Sequence, residues 1–106
     1  IQIIEEVKDK MKMIGVGKIA TICGRNWAMD RNNNWDRTEK AYRMLTNGEG
    51  EQIEDPATYL NKSYDKDVTD EYIAPAVVTE EGKPVALIQD NDSVIFFNFR
   101  EDRARQ

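Results

Sequence analysis

The chain has 106 residues, which suits one compact domain, and its 40% hydrophobic and 33% charged residues are typical of a globular protein rather than a disordered one. Its net charge of −5 argues against general affinity for nucleic acid or anionic membranes, because both require a basic surface. No apolar stretch approaches the length of about 20 residues that a membrane helix needs.

The first predicted elements are a helix and a short strand. Apolar residues recur at helical spacing from Ile4 to Ile14, which predicts an amphipathic helix over residues 1–13. Gly15 follows as a helix terminator. Residues 18–23, "KIATIC", are rich in apolar and β-branched side chains and predict a strand.

Two further helices are predicted in the middle of the chain. One covers residues 35–46, with Asn34 as a plausible N-cap and Gly48 just past its end. Asp55-Pro56 then gives an N-cap followed by proline at the first helical position, which predicts a short helix ending near Tyr64. The face of the first of these helices that we expect to pack carries Trp35, Thr38, Tyr42 and Leu45.

Strands are predicted for the last third of the chain. Residues 72–78 look extended, but Pro75 predicts an edge strand or an interrupted one. Residues 84–89 predict a strand, and residues 93–99, "SVIFFNF", are apolar enough for a strand buried on both faces. Residues 100–106 begin a helix. The order of elements favours an α/β domain with a mixed sheet flanked by helices.

Both ends of the chain look like cuts through a longer protein. Ile1 lies inside the amphipathic pattern with no capping residue before it, and the chain stops within its last predicted helix. We therefore interpret the chain as a fragment.

Cysteine and histidine usage limits the chemistry. Cys23 is the only cysteine, so no internal disulfide can form and a reducing cytoplasmic setting is expected. Its apolar neighbours favour a packing role over a nucleophilic one. Histidine is absent, which removes a His-based triad and the usual zinc ligand. Residues 30–36 imitate a calcium loop but lack its glycine and glutamate, so no metal site is predicted.

Arginines follow two of the predicted strands. Arg25 comes one residue after the first strand, and Arg100 comes directly after the last. Ligands bind at the carboxyl ends of strands in open α/β sheets, so Arg25 and Arg31 could face Arg100 and Arg103 across one cleft if the two strands are parallel neighbours. Guanidinium groups match phosphate and carboxylate, which predicts an anion site. Arg105 points to the opposite side of the last helix.

A more ordinary interpretation exists for any single arginine. In an acidic chain it can pair with a nearby carboxylate, and surface pairs of this kind are common. The candidate partners are Glu101, Asp102, Asp30 and Asp36. The pattern as a whole favours an anion site.

Three stretches resemble consecutive parts of cofactor-independent (2,3-bisphosphoglycerate-independent) phosphoglycerate mutase. They are "GRNWAMDRNNNWDRTEKAY", "TDEYIAPAVV" and "DNDSVIFFNFREDRARQ". The resemblance implies a two-domain relative of the alkaline phosphatases that interconverts 3-phosphoglycerate and 2-phosphoglycerate through a phosphoserine. One domain of such an enzyme holds two divalent metal ions, usually manganese, and the serine. Residues 1–106 resemble the later part of the other, the phosphotransferase domain.

The resemblance also assigns roles within this chain. It implies that the substrate-binding residues are Arg25, Arg31, Arg100 and Arg103. It implies no catalytic nucleophile and no metal ligand here, so the fragment alone should lack mutase activity. The expected partner is a small molecule, phosphoglycerate, with no nucleic acid and no membrane. The full-length enzyme is expected to be a monomer, and the fragment to self-associate through exposed apolar surface. The alternative is a non-catalytic anion-binding or protein-interaction module that retains the fold.

Overall fold

The computed structural model describes the whole chain, residues 1–106, and begins with the predicted amphipathic helix. Helix α1 spans Gln2–Ile14 and ends at Gly15, whose left-handed backbone (φ 86°) lets its N–H donate to the carbonyl of Met11. Strand β1 is only Thr21–Ile22. The predicted strand over 18–23 is therefore present but shorter, because only two of its residues pair with a neighbouring strand.

Two helices follow β1. Helix α2 is a single turn, Arg25–Ala28, and α3 spans Trp35–Asn47 as predicted, ending at Gly48 in the left-handed conformation. Asn34 occupies the N-cap position, but its side chain makes no capping hydrogen bond.

The prediction of which face of α3 packs against the rest of the protein is wrong. Trp35 and Tyr42 are both 65% exposed, whereas Ala41 and Met44 are buried. The helix carries two neighbouring apolar stripes, and spacing alone does not choose between them. The small side chain of Ala41 allows close approach, so its stripe faces inward and the bulky rings lie beside it.

The predicted third helix is confirmed. Strand β2 spans Glu51–Ile53 and leads into α4, Pro56–Tyr64. One carboxylate oxygen of Asp55 accepts hydrogen bonds from the backbone N–H of Thr58 at 3.0 Å and from its hydroxyl at 2.7 Å. This cap and the proline that follows it fix where the helix starts.

Strand β3, Ala76–Glu80, lies at the centre of the sheet. It pairs antiparallel with β1, parallel with β2 and antiparallel with β4, which is Lys83–Pro84. The prediction of an edge strand is wrong because Pro75 precedes the strand and removes no hydrogen bond from the ladder. The sheet is mixed and flanked by helices, so the predicted α/β class is confirmed.

The last two predicted strands are wrong for this chain. Of residues 84–89 only Pro84 pairs in the sheet, and residues 93–99 pair with no strand. Ile95, Phe97 and Phe99 are each at least 90% exposed. A strand forms only where a neighbouring strand accepts its hydrogen bonds, and nothing in residues 1–106 offers one here.

The predicted terminal helix is a single turn, α5, Glu101–Ala104. None of the five α-helices has the length and apolar character needed to cross a membrane. The apolar core lies between α4 and the sheet and is formed by Ile53, Tyr59, Leu60, Ile73, Ala76 and Val78.

A short 3₁₀ turn, Asp70–Tyr72, approaches α2 closely at Gly24. The N–H of Gly24 donates to the carbonyl of Ile73 at 2.8 Å. A Cβ at Gly24 would lie 2.7 Å from the carbonyl oxygen of Asp70, far inside van der Waals contact. Gly24 therefore allows α2 to start directly against this turn.

Gly24→Ala should lower the free energy of unfolding by about 1–3 kcal/mol, because backbone atoms on both sides must move apart. Urea denaturation measures the change. Gly15→Ala is the control: its Cβ meets no atom within 4 Å, so only the left-handed backbone strain of about 1 kcal/mol applies. Equal or smaller destabilisation by Gly24→Ala than by Gly15→Ala would contradict the close approach.

Candidate functional site

Helix α2 presents the first of the four predicted arginines. Arg25 is the first residue of the helix, directly after Gly24. Its Nη2 donates to Oε2 of Glu71 at 2.8 Å, and its side chain is 53% exposed. This contact joins the start of α2 to the 3₁₀ turn that precedes β3.

Arg31 lies in a loop that is folded around a buried carboxylate. Asp30 accepts hydrogen bonds from the side-chain amide of Asn34 at 2.8 Å, from its backbone N–H at 2.8 Å, and from the backbone N–H of Asn32 at 3.3 Å. These bonds, that of the Asn34 amide foremost, lower the pKa of Asp30, and the positive charge of Arg37 adds to the effect. The loop holds Asp30 inside and leaves Arg31 exposed.

Helix α5 brings the C-terminal arginines to this loop. Oδ2 of Asp102 accepts from Nη1 of Arg31 at 3.1 Å and from Nη2 of Arg100 at 3.1 Å. One carboxylate oxygen thus joins an arginine of the α2–α3 loop to an arginine at the start of α5. The hydrogen bond from Arg31, followed by the charge of Arg100, lowers the pKa of Asp102.

Arg103 fixes α5 against the same loop. Its Nη1 donates to the carbonyl oxygen of Met29 at 2.9 Å. The hydrogen bond from Arg25 lowers the pKa of Glu71, and the positive charge of Arg103 lowers it further. Glu71 is therefore hydrogen-bonded to Arg25 and is influenced by the charge of Arg103 without a direct contact.

A further contact, by Gln106, was not predicted from the sequence. Its Nε2 donates to the carbonyl oxygen of Trp27 at 2.6 Å and to the hydroxyl of Thr38 at 3.1 Å. Residues 100–106 are therefore attached to both α2 and α3. No local pattern could reveal this, because the two partners lie 79 and 68 residues away in the sequence.

The structure brings the two arginine-bearing segments together, but by another route than the sequence suggested. The contact runs through α5, and no pair of parallel strands carries it. The arginines do not share one cleft. A cleft of about 700 Å³ is lined by Arg25 and Glu71, another of about 290 Å³ by Arg31 and Asp102, and Arg100 and Arg103 line neither of the two.

Carboxylate pairing, the more ordinary interpretation, describes part of the geometry. Asp102 pairs with two arginines, and Glu101 pairs with Arg105 at 3.4 Å. The carboxylate of Asp30 lies 3.9 Å from the guanidinium group of Arg37 and forms no ion pair with Arg31. Arg105 borders the smaller cleft but is 73% exposed and makes no ion pair with Asp102.

Glu71 was missed by sequence reasoning because its segment looked like a solvated connection. Its contact with Arg25 spans 46 residues. The larger cleft is lined by Arg25 together with Asp70 and Glu71, and the smaller one by Arg31 and Arg105 together with Asp30 and Asp102, so neither lining carries an excess of positive charge.

The residues present do not fit a metal centre. No three His, Cys, Asp or Glu side chains lie together in a way that could hold a metal ion. Burial raises the pKa of the Cys23 thiol to about 12, which suits the packing role and keeps the thiol protonated at neutral pH.

Comparison with known proteins identifies the class of protein. Residues 1–106 match the family model described as BPG-independent PGAM N-terminus. The chain is also similar to a solved structure of Leishmania mexicana phosphoglycerate mutase at low cobalt concentration, with a TM-score of 0.84 and 30% identity over 97% of this chain and 20% of that one. The fold is thus that of one part of a phosphoglycerate mutase.

The chain belongs to the BPG-independent phosphoglycerate mutase N-terminus family, which confirms the resemblance. It is 52% identical to the 2,3-bisphosphoglycerate-independent phosphoglycerate mutase of Moorella thermoacetica over 97% of its length, and 51% identical to that of Clostridium acetobutylicum over 99%. The chain spans 20% and 21% of these relatives, respectively.

The loop around Asp30 gives a pH-dependent prediction. Asp30→Asn should lower the urea midpoint at pH 7, because the amide replaces an acceptor oxygen with a donor facing N–H groups. The pKa of Asp30 is lowered by folding, so its contribution is complete above the ordinary aspartate pKa of about 3.9 and is lost as the pH falls through the lower folded value. The difference between the two proteins should therefore shrink below about pH 4.

The matched control is Asp36→Asn, which removes the same charge from an exposed position six residues further along the chain, in the first turn of α3. It should leave the urea midpoint nearly unchanged at every pH. A midpoint difference for Asp30→Asn that stays constant down to pH 2 would show that the carboxylate charge is not what folds the loop.

Proposed function

We propose that the protein containing this chain is a phosphoglycerate mutase that interconverts 3-phosphoglycerate and 2-phosphoglycerate through a phosphoserine intermediate. Residues 1–106 are the later part of its phosphotransferase domain and supply the substrate-binding arginines Arg25, Arg31, Arg100 and Arg103. The observation that carries the proposal is the gathering of these four cations around two carboxylates in an otherwise acidic chain.

The chemistry of the substrate matches this arrangement. Phosphoglycerate carries a phosphate and a carboxylate, and a guanidinium group donates parallel N–H bonds to either. Arg25, Arg31 and Arg100 each give one hydrogen bond to an acidic side chain and remain about half exposed, so further donors stay free for a ligand. During transfer the glycerate must be held in place until the phosphoryl group returns, and several fixed cations serve that need.

The remaining chemistry is assigned to the rest of the protein. The serine nucleophile and two divalent metal ions, manganese in our proposal, belong to another domain, since the residues of this chain do not fit a metal centre. We propose a monomeric cytoplasmic enzyme acting on a small molecule. Residues 1–106 alone are proposed to be inactive and to self-associate through the exposed side chains of residues 94–99.

The direct test is an assay of the full-length protein. It should convert 3-phosphoglycerate to 2-phosphoglycerate with no added 2,3-bisphosphoglycerate, as followed by coupling to enolase. Residues 1–106 expressed alone should show no turnover. Binding of 3-phosphoglycerate by the full-length protein without turnover would reject the enzyme and support the alternative, a non-catalytic anion-binding module.

Substitution of the C-terminal arginines separates their roles. In the full-length protein, Arg100→Ala or Arg103→Ala should each lower kcat/KM by about 100-fold, because each removes a charged donor from the substrate. Arg105→Ala should lower it much less, since Arg105 is 73% exposed and pairs only with Glu101. Steady-state kinetics of the three variants measure this, and equal losses would reject the division of roles.

A further inference from the structure

Asp102 occupies a special position among the acidic residues of the site. A single oxygen atom, Oδ2, accepts from Arg31 and from Arg100, which are separated by 69 residues of sequence. Both N–O distances are 3.1 Å, so the two guanidinium nitrogens donate to one shared acceptor atom. No other carboxylate in the chain accepts hydrogen bonds from two arginine side chains.

The backbone of Asp102 is held in place by two residues that follow it in the chain. Arg103 donates to the carbonyl of Met29, and Gln106 donates to the carbonyl of Trp27 and the hydroxyl of Thr38. These bonds attach the chain just after Asp102 to Met29, Trp27 and Thr38, and so hold the backbone of Asp102 beside the loop that carries Arg31.

Two guanidinium groups brought this close repel each other unless a negative charge lies between them. Each side chain also carries about 2 kcal/mol of rotamer entropy, which must be lost when a ligand is bound. A shared carboxylate removes much of the repulsion and selects rotamers in advance. Because each guanidinium has further N–H donors, holding one of them does not prevent anion binding.

We propose that Asp102 is a positioning residue that holds Arg31 and Arg100 at the spacing needed to bind the phosphate or carboxylate of the substrate. The inference rests on the proposed function, since it concerns the same arginines. Asp102 acts through the arginines and need not touch the substrate.

Because these side chains are exposed, a role of Asp102 in positioning the arginines can be distinguished from a role in stability. The side chain of Asp102 is 41% exposed, and those of Arg31 and Arg100 are 44% and 53% exposed. Solvent-exposed ion pairs contribute little to stability. Removing the charge of Asp102 should therefore weaken substrate binding while leaving the urea midpoint of the protein nearly unchanged.

The test compares Asp102→Asn with Glu101→Gln in the full-length protein. Both changes remove one negative charge from α5, but Glu101 pairs only with Arg105. Calorimetric titration with 3-phosphoglycerate, and with inorganic phosphate as the minimal anion, gives the dissociation constants. Asp102→Asn should weaken 3-phosphoglycerate binding by about tenfold, in keeping with the loss of charge-assisted hydrogen bonds, whereas Glu101→Gln should leave it within about twofold.

A double-mutant cycle identifies the residue through which Asp102 acts. After Arg31→Ala, the further change Asp102→Asn should have a much smaller effect, because one of its two partners is already gone. After Arg25→Ala, it should keep its full effect, because Arg25 is held by Glu71. A purely structural role would give the same effect in both backgrounds, together with a lower urea midpoint.

The remaining outcomes each decide the question. Unchanged binding in Asp102→Asn overturns the inference, and tighter binding does so too, since it would show that the carboxylate competes with the substrate. If the full-length protein binds 3-phosphoglycerate but does not turn it over, the proposed function fails. The effect of Asp102→Asn on the dissociation constant then tests the inference by itself. If it binds neither 3-phosphoglycerate nor phosphate, both proposals are overturned.

Discussion

Strand β3 is the element on which the rest of the fold depends, because it pairs with each of the other three strands. Ala76 and Val77 have no exposed surface. The segment that enters this strand carries Glu71, which binds Arg25, and the carbonyl of Ile73, which accepts from the N–H of Gly24. The position of Arg25 therefore depends on the segment that leads into the central strand.

The helices could be predicted because the interactions that define them are local. Gly15 and Gly48 adopt left-handed conformations at the ends of α1 and α3, and Asp55 caps α4 through a residue only three positions away. The strands depend on partners distant in the sequence. Phe97 and Phe99 have the composition of a buried strand, yet in residues 1–106 no strand lies beside them. The composition of a segment indicates whether it is suited to form a strand, but it forms one only where a partner strand is present.

The same distinction applies to the site. Arg25, Arg100 and Arg103 could be singled out because each follows a predicted strand or shares a helix face, which are local patterns, whereas Arg31 lies in a loop with no such pattern. Their carboxylate partners could not all be found this way. Asp102 is close to Arg100 in sequence, but its bond to Arg31 spans 71 residues, and Glu71 lies 46 residues from Arg25. Side chains that organise a site from another segment leave no periodic signal.

Carboxylate pairing and anion binding at first look like competing explanations of these arginines, but the geometry makes them compatible. An arginine that paired with a carboxylate through its whole fork would have little left for a ligand. Arg31 and Arg100 instead share one oxygen of Asp102, which holds both side chains with one negative charge and leaves further donors exposed. One carboxylate that holds two cations leaves more positive charge for the substrate than two separate carboxylates would, and Asp102 holds Arg31 and Arg100 in this way.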